Sequence, residues 1–240
     1  MAEEVLYAKS ADVATVTLNR PAEGNIVSTE MGLKISQFFE RAVKDEAKVI
    51  IFRGRGENFC IGRDVSGLKE HGDATAIGLR EANTDPALKF YDSFLTTPIP
   101  IIGVVDGWAD GMGCALAALC DITIASETAR FRVPEMNRDI PPGLVMTAFR
   151  DRVHRKAIAY LVYSRDEIDA VTAREFGIVS RIVKPGDLDK SVAELSAKLS
   201  ENSMSAIKMV KEYLNNALDM DRRSASSYAS ALLSNVMSSH

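Results

Sequence analysis

Short apolar runs separated by helix-like segments fill the first two-thirds of the chain. Residues 49–52 form a wholly apolar run that stops at Gly54, and residues 99–105 and 122–125 repeat that pattern. Runs of this length, bounded by glycine or polar residues, are typical of buried strands. Val13–Leu18 is rich in β-branched residues and predicts a further strand. The pattern therefore indicates several strands, most of them buried.

Helical spacing appears between these strands. Ser28 is a suitable N-cap for a helix, whose apolar positions recur at helical intervals: Met31, Ile35, Phe38, Phe39 and Ala42. Residues 111–119 are too rich in small residues for a surface helix. We expect this second helix to be central and closely packed.

The pattern changes to helices alone beyond about residue 187. Three apolar stripes at helical spacing follow one another: Val192, Leu195 and Leu199; Ile207, Val210, Leu214 and Leu218; and Tyr228, Ala231, Leu232 and Val236. We interpret the chain as an α/β core over residues 1–186 with a helical C-terminal region over residues 187–240. These stripes exceed what a small appendage needs for itself, so we expect them to contribute to oligomer formation.

Composition narrows the choice of partners. The 240 residues carry 29 basic and 33 acidic side chains, a net charge of -4. A surface without a broad basic field argues against a nucleic-acid partner. No apolar stretch is long enough for a membrane span, and the acidic N-terminus shows no secretory signal. Cys60, Cys114 and Cys120 lack metal-type spacing and are expected to be reduced, buried thiols of a cytoplasmic protein.

Three glycine-containing loops follow predicted buried strands. They span residues 54–64, 106–113 and 131–143. Neither of the first two has the spacing of a nucleotide phosphate-binding loop or of the dinucleotide fingerprint. Taken singly, each glycine is explained by a tight turn. Taken jointly, the loops favour a functional site.

In order and spacing these segments resemble the crotonase (enoyl-CoA hydratase/isomerase) superfamily over nearly the whole chain. The matching segments are Asn19-Arg20-Pro21, Phe59-Cys60-Ile61-Gly62-Arg63-Asp64, Val105-Asp106-Gly107-Trp108-Ala109-Asp110-Gly111-Met112-Gly113, Cys120-Asp121-Ile122, Pro134-Glu135 and Ala173-Arg174-Glu175-Phe176-Gly177. The resemblance implies a spiral of ββα units, a trimer or hexamer, and an acyl-CoA thioester substrate. It implies no cofactor, since coenzyme A is part of the substrate, and no metal.

The resemblance also implies an oxyanion hole formed by the backbone N–H groups of Arg63 and Met112. Two fixed donors, one of them at a helix N-terminus, stabilise the negative charge that develops on a thioester oxygen. The remaining residues expected to bind substrate belong to the same loops: Cys60, Gly62, Asp64, Gly111, Gly113 and Asp139.

Glu135 is the candidate catalytic base, and Ala115 is the main departure from the family pattern. Hydratases of this family carry a second glutamate at the place of Ala115. A proton shift along an acyl chain needs only one carboxylate, so the sequence favours isomerisation of an enoyl-CoA. Hydration, thioester hydrolysis, carbon–carbon cleavage and non-catalytic acyl-CoA binding remain alternatives. Without a role in catalysis, Glu135 would be a solvated carboxylate or would pair with Arg132 or Arg138.

The side chain of Arg63 adds a positive charge where a small residue is common in the family. It is expected to reach the thioester or a phosphate of coenzyme A, as are Arg53, Arg55 and Lys69. The alternative is that these cations belong to a solvated loop. Trp108 and Phe131 are interpreted as packing residues.

Overall fold

A computed structural model describes residues 3–66 and 75–238 of the chain. Lys69, one of the cations predicted to reach coenzyme A, lies outside the described residues. Within them, no helix is long and apolar enough to cross a membrane.

Two sheets organise the α/β part of the molecule. The larger has the strand order β1-β2-β3-β4-β6-β9, and the smaller has the order β5-β7-β8. Their bounds are β1 Val5–Ser10, β2 Val13–Leu18, β3 Val49–Gly54, β4 Ile101–Val105, β5 Trp108–Asp110, β6 Ile122–Ser126, β7 Arg130–Arg132, β8 Ile168–Asp169 and β9 Arg181–Val183. In the larger sheet only the β1–β2 pairing is antiparallel. Parallel strands covered on both faces account for the apolar runs in the sequence.

The helices confirm the predicted alternation and the helical C-terminal region. They are α1 Thr29–Lys44, α2 Ala76–Leu79, α3 Asp85–Thr96, α4 Met112–Leu119, α5 Gly143–Phe149, α6 Arg155–Ser164, α7 Ala170–Phe176, α8 Leu188–Ser200, α9 Met204–Asn216 and α10 Arg222–Ser238. The Ser28 hydroxyl accepts a hydrogen bond from the Met31 N–H at 3.1 Å and caps α1, as the sequence predicted.

The core lies between the larger sheet and the helices that cover it. Helix α4 is its centre, because all eight of its residues are buried. A second apolar cluster joins Leu188 and Val192 of α8 to Val49, Ile102 and Ile124 of the larger sheet. The first C-terminal helix therefore packs directly on the α/β part. The division at residue 187 stays a prediction.

Strand β1 was not predicted from the sequence. Of its six residues only Val5 is buried, because β1 lies at the edge of the larger sheet. The strand therefore shows no apolar run like those of β3 and β4.

Candidate active site

The second and third glycine loops meet the first around a cavity of about 360 Å³. Its lining includes Gly62, Arg63, Asp110, Gly111, Met112 and Glu135. Arg138 and the segment 140–145 that enters α5 also line the cavity. The cavity has the size of an ordinary small-molecule site.

A parallel bridge orients the backbone at Arg63. The Val27 N–H donates to the Gly62 carbonyl at 3.0 Å, and the Asp64 N–H donates to the Val27 carbonyl at 2.9 Å. Since backbone groups alternate in direction along an extended segment, the N–H of Arg63 points away from Val27. Among the described residues it has no hydrogen-bond acceptor.

The second N–H belongs to Met112, the first residue of α4. The first N–H groups of a helix have no acceptor inside the helix, and no other described residue accepts from Met112. The Gly111 N–H before it is already used, because it donates to the Arg132 carbonyl at 2.9 Å. Arg63 and Met112 thus present two free donors on residues that line one cavity.

Close contact between the two loops brings these donors together. The Cys60 N–H donates to the Trp108 carbonyl at 3.1 Å, and the Asp110 N–H donates to the Cys60 carbonyl at 2.9 Å. Gly113 faces the same carbonyl, and a Cβ atom on Gly113 would lie 1.9 Å from the Cys60 oxygen. The approach therefore requires glycine at residue 113.

Glu135 begins a short 3₁₀ helix, Glu135–Arg138, immediately after β7 and Pro134. Its carboxylate lies over Gly111, since a Cβ atom there would come within 2.7 Å of Glu135 Oε1. Gly111 also has a φ of 53°, a conformation that favours glycine. The base candidate and the helix that carries Met112 are therefore in direct contact.

The surroundings of Glu135 favour its protonated form. Burial raises the pKa of the Glu135 carboxyl above its usual value of 4.5. A hydrogen bond from its own backbone lowers the pKa in part, the charge of Asp110 raises it, and Arg138 lowers it. Glu135 Oε2 is buried without a hydrogen-bond partner among the described residues. A carboxylate of raised pKa in a cavity has the properties of a general base.

Neither neighbouring arginine forms an ion pair with Glu135 in the described part of the chain. Arg132 instead binds Asp110, with 2.5 Å between its Nη2 and Asp110 Oδ2. Arg138 is exposed and acts on Glu135 only through its charge. The alternative in which Glu135 is a salt-bridged surface residue therefore has no support in this geometry.

Four predicted substrate-binding residues do not line the cavity. Cys60 is buried, burial raises the pKa of its thiol to about 12, and the thiol donates to the Gly62 carbonyl at 3.4 Å. Gly113 packs against that segment. Asp64 accepts hydrogen bonds from Ser66 and Arg20, which lower its pKa to about 2. Asp139 is exposed. Their contact with substrate stays a prediction, whereas Gly62 and Gly111 do line the cavity.

The arginines of the first loop have partners within the protein. The Arg63 guanidinium donates to the Asn83 carbonyl at 2.6 Å, and burial lowers its pKa. Arg53 pairs with Asp189 at 2.8 Å, and Arg55 donates to the Asn19 side chain at 3.2 Å. Their predicted contact with coenzyme A stays a prediction.

Two polar residues of the cavity were missed from the sequence. Asp110 is 8% exposed and Tyr91 is 3% exposed, and each has a buried oxygen without a partner among the described residues. The signal for Asp110 was an acidic residue within a run of small and apolar ones. Tyr91 gave no such signal, because a tyrosine at an apolar position of a helix is usually a core residue. Ala115, in contrast, is fully buried.

The packing interpretations of the aromatic and thiol side chains are confirmed. Phe131 is fully buried, and the Trp108 ring packs against the Arg132 guanidinium at 5.1 Å. The three cysteines are free and buried.

Comparison with known proteins places this site in a family. Residues 8–240 match the family described as Enoyl-CoA hydratase/isomerase. The chain is 30% identical over 232 residues to the short-chain-enoyl-CoA hydratase of Clostridium acetobutylicum, covering 94% of this chain and 86% of that protein. It is also 30% identical over 220 residues to the 2,3-dehydroadipyl-CoA hydratase of Escherichia coli, covering 90% and 84%.

Solved structures agree on the fold. An enoyl-CoA hydratase structure from Mycobacterium smegmatis matches with a TM-score of 0.91 at 24% identity, covering 98% of this chain and 91% of that one. An enoyl-CoA hydratase/isomerase family protein from Silicibacter pomeroyi matches with a TM-score of 0.88 at 26% identity, covering 97% and 99%. The predicted crotonase fold with a helical C-terminal region is confirmed, and the structure shows that its strands form two sheets.

Proposed function

The chain belongs to the enoyl-CoA hydratase/isomerase family, and from that premise we propose that it moves a proton along an enoyl-CoA with Glu135 as the base. The N–H groups of Arg63 and Met112 hold the thioester oxygen. One observation carries the proposal: the half-buried Glu135, whose Oε2 has no hydrogen-bond partner among the described residues, lies against Gly111, next to the helix N-terminus that bears one of these donors.

The proposed reaction converts a 3-enoyl-CoA into a 2-enoyl-CoA. Glu135 removes a proton from C2, and the C–H electron pair moves into the dienolate whose negative oxygen accepts from the two N–H groups. The double bond then shifts, and protonated Glu135 returns its proton to C4. No atom is gained or lost, so a single carboxylate suffices.

The position of Ala115 supports isomerisation over hydration. Hydration requires groups that position and deprotonate a water molecule in addition to a group that protonates C2. Ala115 offers no titratable group, and its fully buried side chain is not part of the cavity wall in the described residues. Glu135 is then the carboxylate that reaches the substrate.

Hydration of a 2-enoyl-CoA is the second candidate. Both relatives described above are named hydratases. Their names make water addition the alternative reaction to test.

The deciding experiment compares the two reactions on substrates of one chain length. We expect the protein to isomerise 3-hexenoyl-CoA to 2-hexenoyl-CoA faster than it hydrates 2-hexenoyl-CoA to the 3-hydroxy product, with products identified by mass. Faster hydration would overturn the isomerase proposal and leave the family assignment intact. Saturable binding without either product would favour the non-catalytic alternative.

We also propose that the chain assembles into a trimer or hexamer through its C-terminal helices. Tyr228, Leu232 and Val236 of α10 are only partly covered. Val210 and Leu214 of α9 are 56% and 48% exposed. An apolar face of this kind is typical of a subunit interface.

Light scattering at micromolar concentration should report three or six chain masses. Leu214→Asp should shift the population towards smaller species, because it places a charge in the proposed interface. Leu33→Asp is the matched control, since Leu33 on α1 is also 48% exposed. A stable monomer of the unchanged protein would contradict the proposal.

The cytoplasmic location stays a prediction. One relative, from Pongo abelii, is named a mitochondrial enoyl-CoA hydratase.

A further inference from the structure

Asp110 is a carboxylate that none of the proposed chemistry uses, although it belongs to the cavity wall. It ends β5, which runs parallel to β7, and the register places it beside Arg132. Arg132 Nη2 lies 2.5 Å from Asp110 Oδ2, and the Arg132 guanidinium packs on the Trp108 ring at 5.1 Å. Arg132 therefore holds the Asp110 carboxylate in one position, and Trp108 in turn holds Arg132.

The other oxygen of Asp110 has no such partner. Asp110 Oδ1 is buried and accepts no hydrogen bond from a described residue, and its side chain is 11% exposed. Leaving a charged oxygen buried and unsatisfied is costly. An exception of this kind in a folded protein calls for an explanation beyond packing.

Glu135 lies next to this charge. Asp110 directly precedes Gly111, the residue on which Glu135 Oε1 rests. Glu135 Oε2, like Asp110 Oδ1, is buried without a hydrogen-bond partner in the described part of the chain. The two carboxylates thus lie close together in one cavity wall, where the charge of Asp110 disfavours the ionised form of Glu135.

The buried oxygen of Asp110 indicates how it acts. Asp110 Oδ1 has almost no accessible surface, so a substrate in the cavity cannot contact this oxygen. Its influence reaches the chemistry through Glu135 instead. We propose that Asp110 is a positioning residue. Its negative charge is held in place by Arg132, lies next to Glu135 and makes Glu135 a stronger proton acceptor.

Other groups around Glu135 leave this role to Asp110. Burial raises the pKa of the Tyr91 hydroxyl and of the Cys114 thiol, so both are neutral at physiological pH. Arg138, on the same 3₁₀ helix as Glu135, acts in the opposite sense, but it is exposed and solvent screens its charge. The charged residues that share the cavity lining with Glu135 are Asp110 from the smaller sheet, Arg63 from the first loop and Arg138, and Asp110 and Arg138 are the charges that act on its pKa.

The inference rests on Glu135 as the base of the proposed reaction, and its direct test is independent of turnover. The protein is labelled with ¹³C at glutamate carboxyl carbons, and the resonance missing from Glu135→Gln is assigned to Glu135. In Asp110→Asn, which keeps the shape and an acceptor for Arg132, the Glu135 titration should move to lower pH. In Arg132→Gln it should move to higher pH, because the negative charge of Asp110 is no longer compensated.

Glu167→Gln is the matched control. Glu167 pairs with Arg130 on the same strand as Arg132, at 3.0 Å, and does not line the cavity. The Glu135 titration should be the same in Glu167→Gln as in the unchanged protein. If it is also the same in folded Asp110→Asn, Asp110 belongs only to a structural ion pair and the inference is overturned. If Asp110→Asn fails to fold, an Arg132→Gln titration that does not rise overturns it equally.

Activity then separates this inference from the proposed function. With Asp110→Asn we expect about a tenfold lower kcat and an acid limb of the pH profile displaced in the same direction as the titration, with KM nearly unchanged. A titration that moves in a protein without enoyl-CoA turnover would support the pairing of the two carboxylates and refute the proposed reaction. A KM that rises while the acid limb stays in place would assign Asp110 to substrate binding and overturn the inference.

Discussion

Glu135→Gln should lower kcat on an enoyl-CoA at least a hundredfold. Transfer of a proton by one positioned carboxylate is worth about a hundred- to ten-thousandfold in rate, and glutamine has the same shape without a basic oxygen. KM should change little, because the thioester oxygen is held by the backbone N–H groups of Arg63 and Met112 rather than by Glu135. Steady-state kinetics with 3-hexenoyl-CoA measures both quantities.

The stability of the same variant shows whether the loss of rate is chemical. Burial raises the pKa of Glu135 in the folded protein above its usual value of 4.5, so between these two pKa values the folded state binds more protons than the unfolded state. Stability from this group is therefore present at low pH and lost as the pH rises through that window. Glu135→Gln should be more stable than the unchanged protein at pH 8, and the difference should fade towards pH 4 in urea titrations.

Two outcomes would count against this assignment. A folded Glu135→Gln variant with unchanged kcat would place the base on another residue. A loss of kcat accompanied by lower stability at pH 8 would indicate structural damage. Glu167→Gln again serves as the control for an acid-to-amide change outside the cavity.

The α/β architecture could be predicted from the sequence because a strand of a parallel sheet that is buried on both faces has an almost continuous apolar run. Residues 49–52 are apolar throughout, residues 122–125 are apolar except for Thr123, and both runs lie within the mostly buried strands β3 and β6. Helix α4 was predictable for a related reason, since five of its eight buried residues have small side chains, which allow close packing on all sides. Strand β1 has no such apolar run, because five of its six residues are not buried.

The candidate site was predictable only in part. The glycines of the three loops mark places of close backbone approach, but the two free N–H donors were inferred from the family resemblance and not from a pattern. Pairing of Asp110 with Arg132 depends on the register between β5 and β7. That register is fixed by the whole smaller sheet, and no local sequence signal reveals a pairing between residues 22 positions apart.

Gly113→Ala should cost about a hundred- to a thousandfold in kcat, the usual effect of losing one oxyanion-hole donor. An alanine Cβ would lie 1.9 Å from the Cys60 carbonyl oxygen. The backbone fixes the position of a Cβ atom, so no side-chain rotation relieves this clash. The two backbone segments must then separate. Met112 directly precedes Gly113 and Arg63 follows Cys60 by three residues, so the separation moves the two N–H groups apart. A fixed distance between them is what the enolate oxygen requires.

Packing alone would also destabilise this variant, and a matched glycine separates the two effects. An alanine at Gly103 of β4 would place its Cβ 2.8 Å from Cys120 Sγ, in the core but away from the cavity lining of the described residues. Both variants should lose about 1–3 kcal/mol of stability, the usual cost of overpacking, yet Gly103→Ala should keep its kcat when the folded fraction is equal. Gly186→Ala, where no atom lies within 4 Å of the new Cβ, should change neither quantity. If folded Gly113→Ala retained as much kcat as Gly103→Ala, the N–H groups of Arg63 and Met112 would not be the donors that hold the thioester oxygen.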